Sequence, residues 1–321
     1  TGGRQYLTDY TNASRTLFFN LDQLQWDQDL LAAFGLSQLR LPELRPSSDL
    51  YGRSNFAGIF ARDIPISAMI GDSHAAAFGE GCFSPGTAKA TLGTGCSILL
   101  NTGNRRISST QGMVTTICWS TSERVDYALE GIIVTCGASI AWLRDNLGLF
   151  AQSRDTQAMA EAAEDSHGVY LVPAFSGLGA PHWRMDLKAA ITGLTFGCNK
   201  NHIVRAALES IPFQIRDVIG AMEQDSDIAL QQLQVDGGIT ANAFVMQCLA
   251  DLLGKRVANI GIEEVSALGA AHLAGLQQGM FEQMTALAQG HEKQYVPGTP
   301  PAQEAMQQRY QGWMKAVQQL T

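Results

Sequence analysis

Apolar positions along the chain change period several times, and each change predicts a new element. The run Ile64-Pro65-Ile66-Ser67-Ala68-Met69-Ile70 reads as a strand that stops at Gly71-Asp72, and the small residues Ala75, Ala76, Ala77 and Gly79 read as a helix after it. Strand signals over 87–101, 112–120 and 125–133 are separated by polar turns at Gly103-Asn104 and Ser122-Glu123, a spacing that predicts an antiparallel meander. A helix is predicted next over 138–147, with Ile140, Leu143 and Leu147 at helical spacing and Gly148 past its end. A long amphipathic helix over 201–223 has Ile203, Ala207, Ile211, Ile215, Ile219 and Met222 as its stripe; Pro212 removes a backbone donor and predicts a kink. Leu233 to Val235 form a short strand ending in Asp236-Gly237-Gly238, and a helix over 242–253 follows with Gly254 as its stop. Met306, Tyr310, Trp313, Val317 and Leu320 predict a terminal packing helix.

Two junctions in this pattern carry candidate chemistry. Asp72 follows a strand at a glycine turn, where a carboxylate can take a proton from a substrate hydroxyl; the plain alternative is a helix N-cap. Gly93-Thr94-Gly95 can bring backbone N–H groups and one hydroxyl close to phosphate oxygens; the plain alternative is a tight turn. The glycines of Asp236-Gly237-Gly238 let the backbone pass flat beside a ligand, or make an ordinary strand-to-helix turn capped by Asn242. Asp9 and Asn12 read as a turn-and-cap pair, and His182 as a surface or packed histidine.

Composition narrows the class. The 321 residues, 45% hydrophobic and 16% charged with 32 glycines, suit an α/β protein of about two domains. A net charge of −8 without a basic block argues against nucleic acid or an anionic membrane as the main partner. Six cysteines without a CxxC pair read as free buried thiols rather than metal ligands. No signal peptide or bilayer-length apolar run is apparent, so a cytoplasmic location is expected.

Ile70-Gly71-Asp72-Ser73-His74-Ala75-Ala76-Ala77-Phe78-Gly79, followed by Gly93-Thr94-Gly95-Cys96, resembles the centre of the FGGY carbohydrate kinases, with glycerol kinases the nearest branch. The resemblance extends to 8–16, 26–27, 42–52, 168–183, 193–195 and 236–242. It implies a ribonuclease H-like, actin-type ATPase fold: residues 1–79 would be the C-terminal portion of the family's substrate domain, and residues 80–321 a complete nucleotide-binding domain. The family's opening phosphate loop and early substrate residues have no counterpart here. The expectation is a lost N-terminal piece, with negligible turnover by this chain alone. By the same resemblance Asp72 is the base, Thr94 lies at the nucleotide phosphates, Gly137 and Ala141 line the nucleotide, and Gly238 and Asn242 meet its base and ribose. ATP and Mg²⁺ are implied, with Mg²⁺ held mainly by phosphates and water and no metal ligands assigned to the chain.

Four departures from the family pattern bear on specificity. Ala141 replaces a common Gln; Ser73 stands where glycerol kinases carry Gln; Ser97 stands where an aromatic residue often walls the glycerol pocket; Arg184 replaces an acid. Ser73 and Ser97 both open space beside Asp72, which points to a longer polyol or a ketose as alternatives, while glycerol leads as the substrate. Two further readings are a nucleotide-binding module without kinase activity and a fragment inactive on its own. A homo-oligomer is possible.

Overall fold

The computed structural model describes residues 1–281, 284 and 293–320. Its centre is a seven-stranded mixed sheet. In chain order the strands are β1 (Thr87–Leu92), β2 (Cys96–Gly103), β3 (Val114–Ser120), β4 (Val125–Ile133), β5 (Gln232–Asp236), β6 (Arg256–Asn259) and β7 (Lys293–Tyr295). Their spatial order is β7-β6-β5-β1-β2-β4-β3. β5 runs parallel to both β1 and β6, and the other pairs are antiparallel.

The meander expectation is corrected in two respects. The signal over 87–101 is two strands, because Gly93-Thr94-Gly95 folds it into a hairpin in which Gly93 N donates to Gly95 O at 2.9 Å. In addition β2 pairs with β4 rather than with β3, which is left at the edge. Alternation alone identifies strands but does not say which neighbour each will choose.

Six helices matter here: α1 (Asp72–Gly79), α2 (Gly137–Asp145), α3 (Lys200–Ser226), α4 (Ala243–Leu253), α5 (Val265–Gln277) and α6 (Pro300–Gln318). Successive strand residues point to opposite faces of the sheet. Ile98, Leu100 and Leu129 turn to one face, in a core shared with Val218, Ile219 and Met222 of α3. Leu99 and Ala128 turn to the other, against Ala77 and Phe78 of α1 and Leu273 of α5. The sheet is thus covered by helices on both faces, as its central parallel strands require.

Helix ends follow their sequence signals closely. Asn199 caps α3, which continues unbroken through the buried Pro212. Asn242 caps α4 by accepting from Val245 N at 3.2 Å, and Gly254 ends it at φ 61°. Leu147 is corrected: it lies beyond the end of α2 and is exposed. The small residues of α5 pack chiefly on α1, not on the large sheet: a Cβ at Gly269 would meet the Ala75 carbonyl oxygen at 1.8 Å, so only glycine permits this approach. On α6, Met306, Trp313, Ala316 and Val317 are buried as a packing helix requires.

Candidate active site

β1 and β5 are parallel neighbours with Asp236 opposite Thr91, so both end on the same side of the sheet. Ligands of open α/β sheets bind beyond such strand ends, where loops diverge. Three loops converge there. Gly237, at φ 92°, lies so close to Leu92 that a Cβ would stand 2.5 Å from its carbonyl oxygen. Gly137 donates to Gly93 O at 2.9 Å, while Cys136 N and Ala138 N donate to Thr94 O at 2.8 and 3.1 Å. A Cβ at Gly137 would lie 2.7 Å from Gly93 O and 3.2 Å from the Ile239 side chain. The structure therefore brings Thr94, Gly137 and Gly238 to one place, with Ala141 one turn along α2. The first amides of α2 are occupied by the carbonyls of the threonine loop and fix its shape.

Asn242 borders this site with its side chain already engaged. Its Oδ1 accepts from Val245 N, and its Nδ2 donates to Thr156 Oγ1 at 3.2 Å. The capping alternative thus describes its side chain, and no unfilled cap bond is left for a ligand to complete.

Asp72 opens α1 from an exposed position. The N-cap reading for it is corrected: Gly71 is the N-cap residue, and among the described residues the Asp72 carboxylate accepts only from its neighbour Ser73 N, at 2.6 Å. Ser266 of α5 donates to the Asp72 carbonyl oxygen at 2.9 Å. Behind Asp72, burial and two charged neighbours, Arg15 and Lys89, push the His74 imidazole down to about 3. His74 is therefore a neutral packing residue at physiological pH.

The link between Asp72 and the threonine loop runs through side chains that sequence reading only half found. Ser73 Oγ lies 3.2 Å from Ser97 Oγ, and Ser97 stands two residues past Gly95. Lys89, fully buried, donates to Ser73 Oγ at 2.8 Å. Ser97 also reaches Glu130 Oε1 at 3.5 Å, and Arg15 pairs with the other Glu130 oxygen. Lys89, Glu130 and Arg15 were not among the expected site residues. The signal lay in the alternation of β1: Ala88, Ala90 and Leu92 join the α3-side core, which sends Lys89 and Thr91 to the α1 side.

On the same face, Glu80 at the end of α1 is 2% exposed and close to Asp236. Burial and the Asp236 charge push the Glu80 carboxyl well above its usual range. Burial also raises Asp236, which accepts from Thr91 Oγ1 at 3.1 Å. Two ionised carboxylates have no proton to share, so this contact becomes a hydrogen bond only when one of them is protonated.

The remaining candidates resolve as structural. Asp9, fully buried, accepts from Thr11 N, Thr11 Oγ1, Asn12 N, Asn12 Nδ2 and Ser47 Oγ, so the turn-and-cap reading holds. His182 Nε2 lies 3.0 Å from Asp217 Oδ2, which ties its loop to α3. Arg184 pairs with Asp186 two residues on. All six cysteines are free and five are buried; burial raises Cys136 to about 12. Among the described residues no group of three or more His, Cys, Asp or Glu could hold a metal ion, and no helix is long and apolar enough to cross a membrane.

A sheet flanked on both faces by helices, a glycine-bounded hairpin at its ligand edge and an exposed acid on the neighbouring helix define a class. The chain belongs to the FGGY family of carbohydrate kinases: residues 88–277 match the family's C-terminal domain and residues 1–79 its N-terminal domain. The fold is the actin-type ATPase fold of that family. Within it, the glycerol kinase of Desulfitobacterium hafniense is 48% identical over 320 residues, covering 100% of this chain and 65% of the relative. The glycerol kinase of Symbiobacterium thermophilum is 48% identical, covering 99% of this chain and 64% of the relative. The chain thus spans 64–65% of the length of these curated relatives. The structure of Plasmodium falciparum glycerol kinase with ADP matches at a TM-score of 0.91 and 36% identity, over 98% of this chain and 63% of that one. A xylulose kinase from Lactobacillus acidophilus, at 21% identity and a TM-score of 0.87 over 98% of this chain and 64% of that one, shares the fold.

Proposed function

We propose that the protein phosphorylates a polyol hydroxyl at the expense of ATP, with glycerol converted to glycerol 3-phosphate as the leading reaction. Residues 1–79 would complete the substrate side, and residues 80–321 would hold the nucleotide. The observation that carries this reading is the Ser73–Ser97 contact, which joins the helix bearing the exposed Asp72 to the hairpin bearing Thr94. The likeness to a glycerol kinase solved with ADP supports nucleotide binding by this chain.

Phosphoryl transfer needs the acceptor oxygen in line with the terminal phosphate, a group to take its proton, and compensation of the phosphate charge. Asp72 accepts the proton of the attacking hydroxyl; its exposure leaves the carboxylate open to substrate. Thr94 meets the phosphates with its hydroxyl on a loop held rigid by Cys136, Gly137 and Ala138. Gly238, which has open space where a Cβ would stand, lets a planar base approach the backbone. Ala141 leaves the nucleotide one polar contact short of the Gln usual in glycerol kinases. Mg²⁺ would be carried mainly by ATP phosphates and water, as its reluctance to shed water implies. When bound, the ion would neutralise charge on the phosphates.

The test is transfer of labelled γ-phosphate from ATP to glycerol by the complete protein. Asp72→Asn should lower turnover by about 10²-fold or more, as expected for loss of a positioned base, with nucleotide affinity nearly unchanged. Near-normal turnover by that variant would remove Asp72 from the role of base.

A further inference from the structure

Four side chains on the α1-facing side of the sheet form a chain with fixed ends. Lys89 Nζ donates to Ser73 Oγ at 2.8 Å, Ser73 Oγ lies 3.2 Å from Ser97 Oγ, and Ser97 Oγ lies 3.5 Å from Glu130 Oε1. Lys89 is fully buried and Glu130 is 4% exposed, whereas both serines are half-buried. An ammonium has only donors and a carboxylate only acceptors, while a hydroxyl has one proton and two lone pairs. Lys89 therefore obliges Ser73 to accept. The carboxylate of Glu130, held by Arg15, draws the proton of Ser97. That leaves Ser97 Oγ to accept the proton of Ser73, and all protons run from Lys89 toward Glu130.

We propose that this one-way chain makes the wall beside Asp72 accept hydrogen bonds without donating them, so that it selects an acceptor substrate turning a hydroxyl toward the two serines and rejects one presenting a carbonyl oxygen there. The proposal rests on the kinase reading and deepens it, by choosing the polyol over the ketose. Each serine has spent its proton and keeps one lone pair. A substrate hydroxyl satisfies that lone pair; a ketone oxygen faces it with no proton between them. The Gln found at position 73 in glycerol kinases has an amide that both donates and accepts, so it imposes no such choice. Two serines beside the base therefore do more than enlarge the pocket: they give it a polarity. Lys89 and Glu130 act here as positioning residues.

Glycerol and dihydroxyacetone differ only at the central carbon, a carbinol in one and a ketone in the other, and so isolate this effect. Steady-state kcat/KM for both should be measured with the complete protein and ATP. A site built around hydroxyl contacts can reject an analogue by about 10⁴-fold; for these half-buried serines the expected preference for glycerol is at least about tenfold. Ser97→Ala removes the acceptor of the Ser73 proton and frees it to point at substrate. That variant should narrow the ratio severalfold, chiefly by lowering the KM for dihydroxyacetone. Ser73→Gln should narrow it as well. A ratio near one in the unmodified protein, or a ratio unmoved by Ser97→Ala in a variant with an unchanged melting curve, overturns the proposal while leaving the kinase reading intact. Failure to phosphorylate any polyol or ketose overturns both.

Discussion

Replacing Gly269 by alanine tests how closely α1 and α5 approach, and through them how Asp72 is held. The new Cβ would stand 1.8 Å from the Ala75 carbonyl oxygen and 2.9 Å from Gly79 N, both backbone atoms that cannot swing aside. Restoring an ordinary contact of about 3.5 Å requires the helices to part by roughly 1.7 Å. Overpacking of a core costs about 1–3 kcal/mol, and a backbone-limited clash belongs at the upper end, about 3 kcal/mol. Alanine returns about 1 kcal/mol through its better helix propensity, so the clash wins by about 2 kcal/mol. Unfolding entropy near 2.1 cal/mol/K per residue gives about 0.7 kcal/mol/K for a chain of this size. The melting temperature should therefore fall by about 3 °C. On the proposed reading of Asp72 as the base, moving α1 also shifts its carboxylate, and a displacement of about 1 Å can cost on the order of 10² in rate, so turnover of the complete protein should fall as well. Calorimetry of Gly269→Ala beside Gly238→Ala is the assay, because position 238 has nothing within 4 Å of its Cβ and should melt unchanged. A Gly269→Ala protein melting at or above the parent temperature would mean that propensity prevails and that the helices are not in backbone contact.

Three further outcomes follow from the same geometry. Because the folded state raises the Glu80 carboxyl above its unfolded value of 4.5, the folded protein keeps a proton that the unfolded chain has lost. Stability should then decline as pH rises from about 4.5 toward the folded value, by up to about 1.4 kcal/mol per pH unit; Glu80→Gln should flatten that slope and stabilise the protein at pH 7, and identical slopes in urea titrations of both would contradict this. Asn242→Ala removes the cap of α4 and the Thr156 contact, and should lower stability by about 1 kcal/mol, read as a shift in urea midpoint at unchanged m. Asp9→Ala leaves Thr11, Asn12 and Ser47 donors without their buried acceptor and should cost about 3 kcal/mol or more, measured the same way; a loss under 1 kcal/mol would show that water replaces the carboxylate.

Much of the fold was legible because the signals were local. Helix stops at Gly254 and Gly148, the Asn242 cap, and the alternating strands depend on residues a few positions apart. The pairing of β2 with β4 was not legible, since either neighbour offers a similar apolar face. The packing of α5 on α1 was half legible: small residues announced a close approach, but not which surface would be approached. At the candidate site, Asp72 and the glycine loops stood out by motif, whereas Lys89 and Glu130 looked like ordinary strand residues.

The sequence by itself determined most of the strands and helices and which loops carry glycine, because backbone preference and periodicity are written residue by residue, and its motifs carried the resemblance to the family. Only the tertiary structure decided that a lysine of one strand, a serine on a helix, a serine of a second strand and a glutamate of a third would meet behind Asp72. Hydrogen-bond direction is a property of the assembled group. Neither serine has a fixed donor or acceptor role until burial places an ammonium at one end and a carboxylate at the other.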